Sequence, residues 1–193
     1  MAARSLAFAL CVALAASTCP SPESLRSEST LSDFDSSLIA GHWYEVAYTD
    51  PAQAGASCQE TNNTVTADGT VSQLFSCNYA VVPFGMVYTY APRSGDDEAG
   101  VYDKYVKGTQ WLLNLPTTIV DVRLGDDGEV ALMSEFTCVD KVGDAVEAIE
   151  FRISSREQTI DTDVLNDMMN VARSAGVPNA TLEKVAINDY SAC

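Results

Sequence analysis

An all-β protein is predicted, with antiparallel strands closed into a barrel or sandwich and one helix near the C-terminus. Three observations lead there. Short runs of β-branched and aromatic residues recur at roughly regular spacing from Trp43 onward. Asp-Gly turn signals stand between such runs at Ala67-Asp68-Gly69-Thr70 and Gly125-Asp126-Asp127-Gly128, and loops this short join only antiparallel neighbours. The apolar pattern changes once, from alternation to helical spacing, beyond Ile160.

The elements follow in order. Pro20 to Ser32 is polar and reads as an extended leader, and Asp33 to Ile39 holds one short helical turn. Strands are expected at Trp43–Thr49, Cys58–Thr66 and Thr70–Tyr79. Pro83 interrupts the pattern before Met86–Tyr90, and Pro92 to Gly100 is an acidic loop. Gly100–Lys107 and Gln110–Leu113 are one bent strand or two short ones. In Thr118–Leu124, Val120, Val122 and Leu124 fall on one face and Asp121 and Arg123 on the other, as in a strand with one wet face. Glu129–Val139 and Ala148–Ser154 are the last strands. Leu165, Met168 and Ala172 then form a helical stripe widened by Val164, Val171 and Ala175. Asp161 is placed to cap its start, Ile160 and Leu165 to staple it, and Gly176 with Pro178 to end it.

Composition narrows the function classes. Eleven Lys and Arg against 27 Asp and Glu give a net charge of -16, which repels phosphate backbones, so no nucleic-acid partner is expected. Residues 1–18 read as an export signal: Arg4, then the apolar run Leu6 to Ala16, then small residues spaced for cleavage. That leaves 19–193 as a single domain, secreted or delivered to an organelle lumen, with no membrane anchor. Cys11 leaves with the signal. Cys19, Cys58, Cys77, Cys138 and Cys193 remain, and two disulfides plus one leftover thiol is the simplest arrangement. No metal site is expected, since there is no CxxC pair and His42 is the only histidine. Asn62-Asn63-Thr64 and Asn179-Ala180-Thr181 make Asn62 and Asn179 glycosylation candidates.

At Gly41-His42-Trp43-Tyr44-Glu45-Val46 the sequence resembles the lipocalin family, whose first motif is Gly-x-Trp at the start of the first strand. Asp33-Phe34-Asp35 before it and Cys58-Gln59 after it resemble the apolipoprotein D-like secreted lipocalins, and Ile153-Ser154-Ser155-Arg156-Glu157 resembles the third motif. The likeness spans nearly the whole mature chain. The second motif departs: where Thr-Asp-Tyr is usual, Arg123-Leu124-Gly125-Asp126-Asp127-Gly128 keeps only an Asp. The resemblance implies an eight-stranded antiparallel up-and-down barrel with one C-terminal α-helix packed outside. It implies that Trp43 seals the barrel base beneath Arg156, a structural pair. It also implies the pairings Cys19–Cys138 and Cys58–Cys193, leaving Cys77 as a free thiol unless it pairs with Cys138 instead or joins two chains.

A lipocalin-like barrel implies a carrier of a small hydrophobic ligand such as a carotenoid, retinoid, bilin, sterol or fatty acid. The candidate wall residues are Phe84, Met86, Tyr88, Tyr90, Tyr102, Tyr105, Trp111 and Phe136, an aromatic set suited to a flat or conjugated guest. Strand parity requires that some of them face outward. No catalytic residues and no cofactor are expected, other than such a bound lipophilic pigment. The rival readings are an enzyme acting on a lipid or xanthophyll, with Cys77 or acidic and tyrosine groups in the cavity, and a pigment-binding subunit of a homo-oligomer or larger assembly.

Overall fold

The structure, a computed structural model, describes residues 19–93, 99–110, 113–142, 146–191 and 193. The expected signal at 1–18 and Trp111 lie outside the described residues.

Eight antiparallel strands close into a barrel: β1 (Gly41–Tyr48), β2 (Ala56–Val65), β3 (Val71–Tyr79), β4 (Val82–Pro92), β5 (Val101–Val106), β6 (Leu115–Leu124), β7 (Val130–Val142) and β8 (Val146–Ser155). Each pairs with the next, and β1 closes the ring by pairing with both β8 and β2. Gly69 and Gly128, in the β2–β3 and β6–β7 turns, both have φ of 81°, a conformation nearly free for glycine and costly for residues with a Cβ. A two-residue strand, β9 (Ala186–Ile187), pairs with Ala47 and Tyr48, beyond the part of β1 that pairs with β2.

The outer face of β1, β6, β7 and β8 carries the helix α2 (Thr162–Ala175). Asp161 caps it by accepting from the backbone N–H groups of Asp163 and Val164. Gly176 ends it in the left-handed conformation at φ 106°, its N–H donating back to the last turn. Leu165, Met168 and Ala172 pack on Val120, Phe136, Phe151 and Ile153 of the wall. A second cluster, including Ile39, Trp43, Val71, Tyr102, Ile119, Val122 and Met133, fills the barrel base. Disulfides join Cys19 to Cys138 on β7 and Cys58 on β2 to Cys193, leaving Cys77 free and buried.

The fold corrects three expectations. The leader is not extended. Pro22–Leu25 makes a turn of 3-10 helix, and Glu28–Asp33 forms the helix α1, capped by the Ser27 side chain. Pro83 does not interrupt its strand but lies inside β4. Residues 82–86 pair with β3 alone, because the other neighbour is met only from Val87, whose carbonyl accepts from Lys107, and Tyr88 onward, so the missing N–H costs no bond to a second neighbour. Val120 and Val122 do not share a face. The register shifts between Ile119 and Asp121, and this bulge sends Val120 outward beneath α2 while Val122 joins the base. Nor is Asp121 on a wet face. It is 2% exposed, covered by the leader, and accepts from Ser27 at 2.7 Å and Ser29 at 2.6 Å while Arg123 donates to it at 2.8 Å.

Candidate ligand-binding site

The base of the barrel is shut. A single turn of 3-10 helix (Ser36–Ile39) crosses beneath it, and Ile39 accepts the indole N–H of Trp43 at 2.9 Å. The Arg156 guanidinium lies 3.6 Å from the Trp43 ring centroid. It donates to the carbonyls of His42, Ala40 and Val130 at 2.6, 2.8 and 3.2 Å. The plane of one cation therefore covers an aromatic face while its edge ties the stretch leading into β1 to the start of β7. Gly41 sits tightly here: a Cβ on it would stand 3.4 Å from an Arg156 nitrogen, on a backbone already at φ 87°.

Above the base lies a polar belt to which every barrel strand contributes. Strand alternation makes this unavoidable once Trp43 faces in, because Glu45 must then face in as well. Arg152 on β8 is the hub. It donates to Glu135 at 2.6 Å, to Glu45 at 3.0 Å and to the Tyr90 hydroxyl at 3.0 Å. Tyr90 in turn reaches Gln73 at 3.1 Å. Lys104 pairs with Glu150 at 3.0 Å and lies 5.0 Å from the Tyr88 ring centroid. Thr117 and Thr137 share a hydroxyl bond of 2.8 Å, and on β2 Gln59 donates to Gln53, from a turn at the rim, at 3.0 Å.

Burial and charge set the protonation of this belt. Burial, working against Arg152, pushes the Glu45 carboxyl above its usual value of 4.5. Glu150 is also penalised by burial, but Lys104 and Arg152 together outweigh that and hold it below 4.5. Burial pushes the Tyr88 phenol up to about 12 and Tyr90 well above its ordinary value, so both remain neutral donors near neutral pH.

Toward the other end the interior opens. Tyr48, Met86, Tyr88 and Val106 face inward yet are only half-buried, whereas Tyr90 and Lys104, one inward step deeper, are fully buried. Phe75 and Cys77 line the same bowl, with Phe84 40% exposed at its lip and stacked edge-on against Tyr79. Asp50 stands near this rim, its carboxyl raised first by burial and then by Glu150.

The sequence-derived wall residues therefore divide. Phe84, Met86 and Tyr88 come together in the bowl. Tyr90 and Tyr102 face inward but are spent deeper down, Tyr90 in the belt and Tyr102 in the base cluster. Two are corrections. Phe136 lies outside the barrel under α2, on the same face as Cys138, which is tied to the leader. Tyr105 also faces outward, since it pairs with Thr89 while the inward Tyr88 pairs with Val106. Sequence reading missed the belt residues Glu45, Gln59, Gln73, Lys104, Glu135, Glu150 and Arg152, which look like ordinary solvated positions. Parity from Trp43 and Cys138 was the available signal. His42 is exposed outside, 3.1 Å from Glu60. Asn62 and Asn179 are both exposed. No group of three or more His, Cys, Asp or Glu among the described residues could hold a metal ion.

No protein-family model matches the chain, and neither does any curated protein sequence. Solved structures do. Insecticyanin from the tobacco hornworm Manduca sexta aligns with a TM-score of 0.62 and 18% identity, covering 90% of this chain and 86% of that one. Lobster apocrustacyanin A1 aligns at 0.60 and 13% identity, covering 81% of each chain. The siderocalin Ex-FABP aligns at 0.57 and 17% identity, covering 81% of this chain and 97% of that one. These are lipocalin barrels, and the fold of this chain is theirs.

Proposed function

We propose that this chain carries a small lipophilic ligand in the open half of its barrel. The observation that carries the reading is the contrast between the two ends. One is sealed by Trp43 and Arg156, while the other is a bowl whose inward-facing aromatic residues are reachable from solvent. A guest entering there removes its own surface and that of Phe84, Met86 and Tyr88 from water, at roughly 25 cal/mol per Å². The belt limits depth, because displacing Arg152 would strip paired charges in a buried setting. The guest therefore fills the mouth half, and its flat face meets phenol rings. Among the structural neighbours, Ex-FABP is described as functioning through dual ligand specificities, which supports a binding role for the shared architecture. A thiolate mechanism at Cys77 is disfavoured, since burial and the nearby Glu45 push its thiol up.

The bracing supports placement beside the apolipoprotein D-like lipocalins, whose resemblance implies the same two bridges, and it suits an oxidising compartment reached through an export signal at residues 1–18. N-terminal sequencing of the mature protein tests that leader, and a mass shift on deglycosylation tests Asn62 and Asn179. Val81, Val82 and Phe84, 92%, 63% and 40% exposed, form an apolar lip that supports self-association at the mouth, which solution mass with and without ligand tests. The carrier reading is tested by the absorption spectrum and organic-solvent extract of the natively purified protein. A stoichiometric lipophilic compound is the expected result. Failure of carotenoids, retinoids, bilins, sterols and fatty acids alike to bind overturns it.

A further inference from the structure

The polar belt is not fully satisfied, and what it lacks has one chemical sense. Among the described residues, the buried side-chain atoms left without a hydrogen-bond partner include Glu45 Oε1 and Gln59 Oε1, both on residues that are 0% exposed. The two residues are cross-strand neighbours. Trp43 pairs with Thr61 and Tyr44 with Glu60, and just beyond them the Tyr190 hydroxyl reaches the backbone carbonyls of both Glu45 and Gln59. Both are oxygens, and the strong donors nearby are committed. Arg152 gives its guanidinium to Glu135, Glu45 and Tyr90, and Lys104 is held by Glu150. Gln59 spends its amide N–H on Gln53. An orphaned buried oxygen costs free energy until something donates to it.

We infer that this pair of oxygens recognises a hydroxyl group on the inward end of the ligand. The inference rests on the carrier reading of the bowl and specifies which guest the bowl selects. A hydroxyl has one proton and can also accept, so with Glu45 protonated, the form that its burial favours, it donates to Gln59 Oε1 and accepts from Glu45 Oε1. A carboxylate end supplies no donor and meets Glu45, Glu135 and Glu150 against only Arg152 and Lys104. A hydrocarbon or ether end leaves both oxygens unpaired in a dry site. Gln53 lies on the short turn Pro51–Gln53 at the rim and accepts from the Gln59 amide at 3.0 Å. It can yield its contact to an arriving hydroxyl without disturbing the strands.

The test compares matched probes on one skeleton: retinol, retinyl methyl ether and retinoic acid, titrated by fluorescence near neutral pH, with cholesterol and its methyl ether as a second skeleton. Retinol is expected to bind about tenfold or more tightly than the ether and the acid, the effect of one net buried hydrogen bond. Gln59→Leu is expected to weaken retinol to the level of the ether while leaving the ether unchanged, whereas a merely structural role would weaken both together. Circular dichroism and intact disulfides confirm folding, and Glu45→Gln, which keeps shape and one acceptor oxygen, serves as the gentler variant with a partial loss of preference. Equal affinity for alcohol and ether on both skeletons overturns hydroxyl recognition and leaves the carrier reading standing. Binding of no probe on either skeleton overturns hydroxyl recognition, and the carrier reading falls with it when carotenoids, bilins and fatty acids fail to bind as well.

Discussion

Replacing Arg152 by Met should be among the most damaging single changes in this protein, and the reason lies in what it leaves behind. The substitution keeps much of the volume but removes the donors to Glu135, Glu45 and Tyr90, at 2.6, 3.0 and 3.0 Å. Glu45 and Glu135 are 0% and 3% exposed, so water does not replace the lost partner. Each charge-assisted bond is worth roughly 1.5–3 kcal/mol, but the total is smaller than their sum, because an abandoned carboxylate takes up a proton instead of staying charged. The expected cost is about 3–5 kcal/mol, the range for breaking a buried pair from one side, out of a domain stability of about 5–15 kcal/mol. Urea unfolding followed by tryptophan fluorescence, with the disulfides intact, measures it. A pH signature accompanies the loss. With Arg152 gone, the Glu45 carboxyl, already raised by burial, moves further above its unfolded value, so the penalty is full at high pH and fades on acidification. Between the unfolded and folded values it changes by up to about 1.4 kcal/mol per pH unit for that carboxyl. Adding Glu45→Gln and Glu135→Gln to Arg152→Met should recover much of the loss. A cost below about 1 kcal/mol for Arg152→Met alone, or a penalty independent of pH, would refute the claim that the belt is a dry, mutually dependent network.

Four further outcomes are expected. In the intact protein Glu45 has a raised folded value and so weighs on stability as pH rises through it, an effect absent below about 4.5. Glu45→Gln should flatten that limb of the stability–pH curve, while the fall at more acid pH, where Glu150 and Lys104 lose their pairing, should persist. Cys58→Ser with Cys193→Ser opens a link across a sequence separation of 135 and should cost about 2–5 kcal/mol in the urea midpoint. Cys77→Ala should leave both bridges in place by peptide mapping. Asp121→Ala removes the acceptor shared by Ser27 and Ser29 and should expose α1 to limited proteolysis well before the barrel is cut, with a stability loss of about 1–3 kcal/mol.

Much of this architecture could be read from the residues. Glycines at the hairpins, a capping Asp161 and a terminating Gly176 act through local backbone chemistry, and local chemistry survives in a sequence. The sealed base was legible through the motif residues Trp43 and Arg156. The bulge at Val120 was not, since one extra residue in a strand leaves no compositional trace and yet reverses every facing beyond it. The belt was hidden for a different reason. A lone Glu or Lys on a strand ordinarily marks the solvent side. Only the joint constraint that Trp43 faces in and Cys138 faces out places Glu45, Glu135 and Arg152 inside. Phe136 was misread by the same logic in reverse: hydrophobicity says buried, but a barrel with a helix on its wall has two buried places, and α2 covers one of them.

The two disulfides also decide where this molecule gives way first. Residues near each end of the described chain are riveted to the wall, Cys19 to β7 and Cys193 to β2, so peeling from an end, the cheapest opening for many small proteins, is closed off. Local opening is displaced to the free rim, to the β3–β4 hairpin around Val81 and the segment of β4 that has a neighbour on one side only. Amide exchange should therefore be fastest around the open rim and slowest at the sealed floor, a gradient in which the mouth can flex without loosening its foundation.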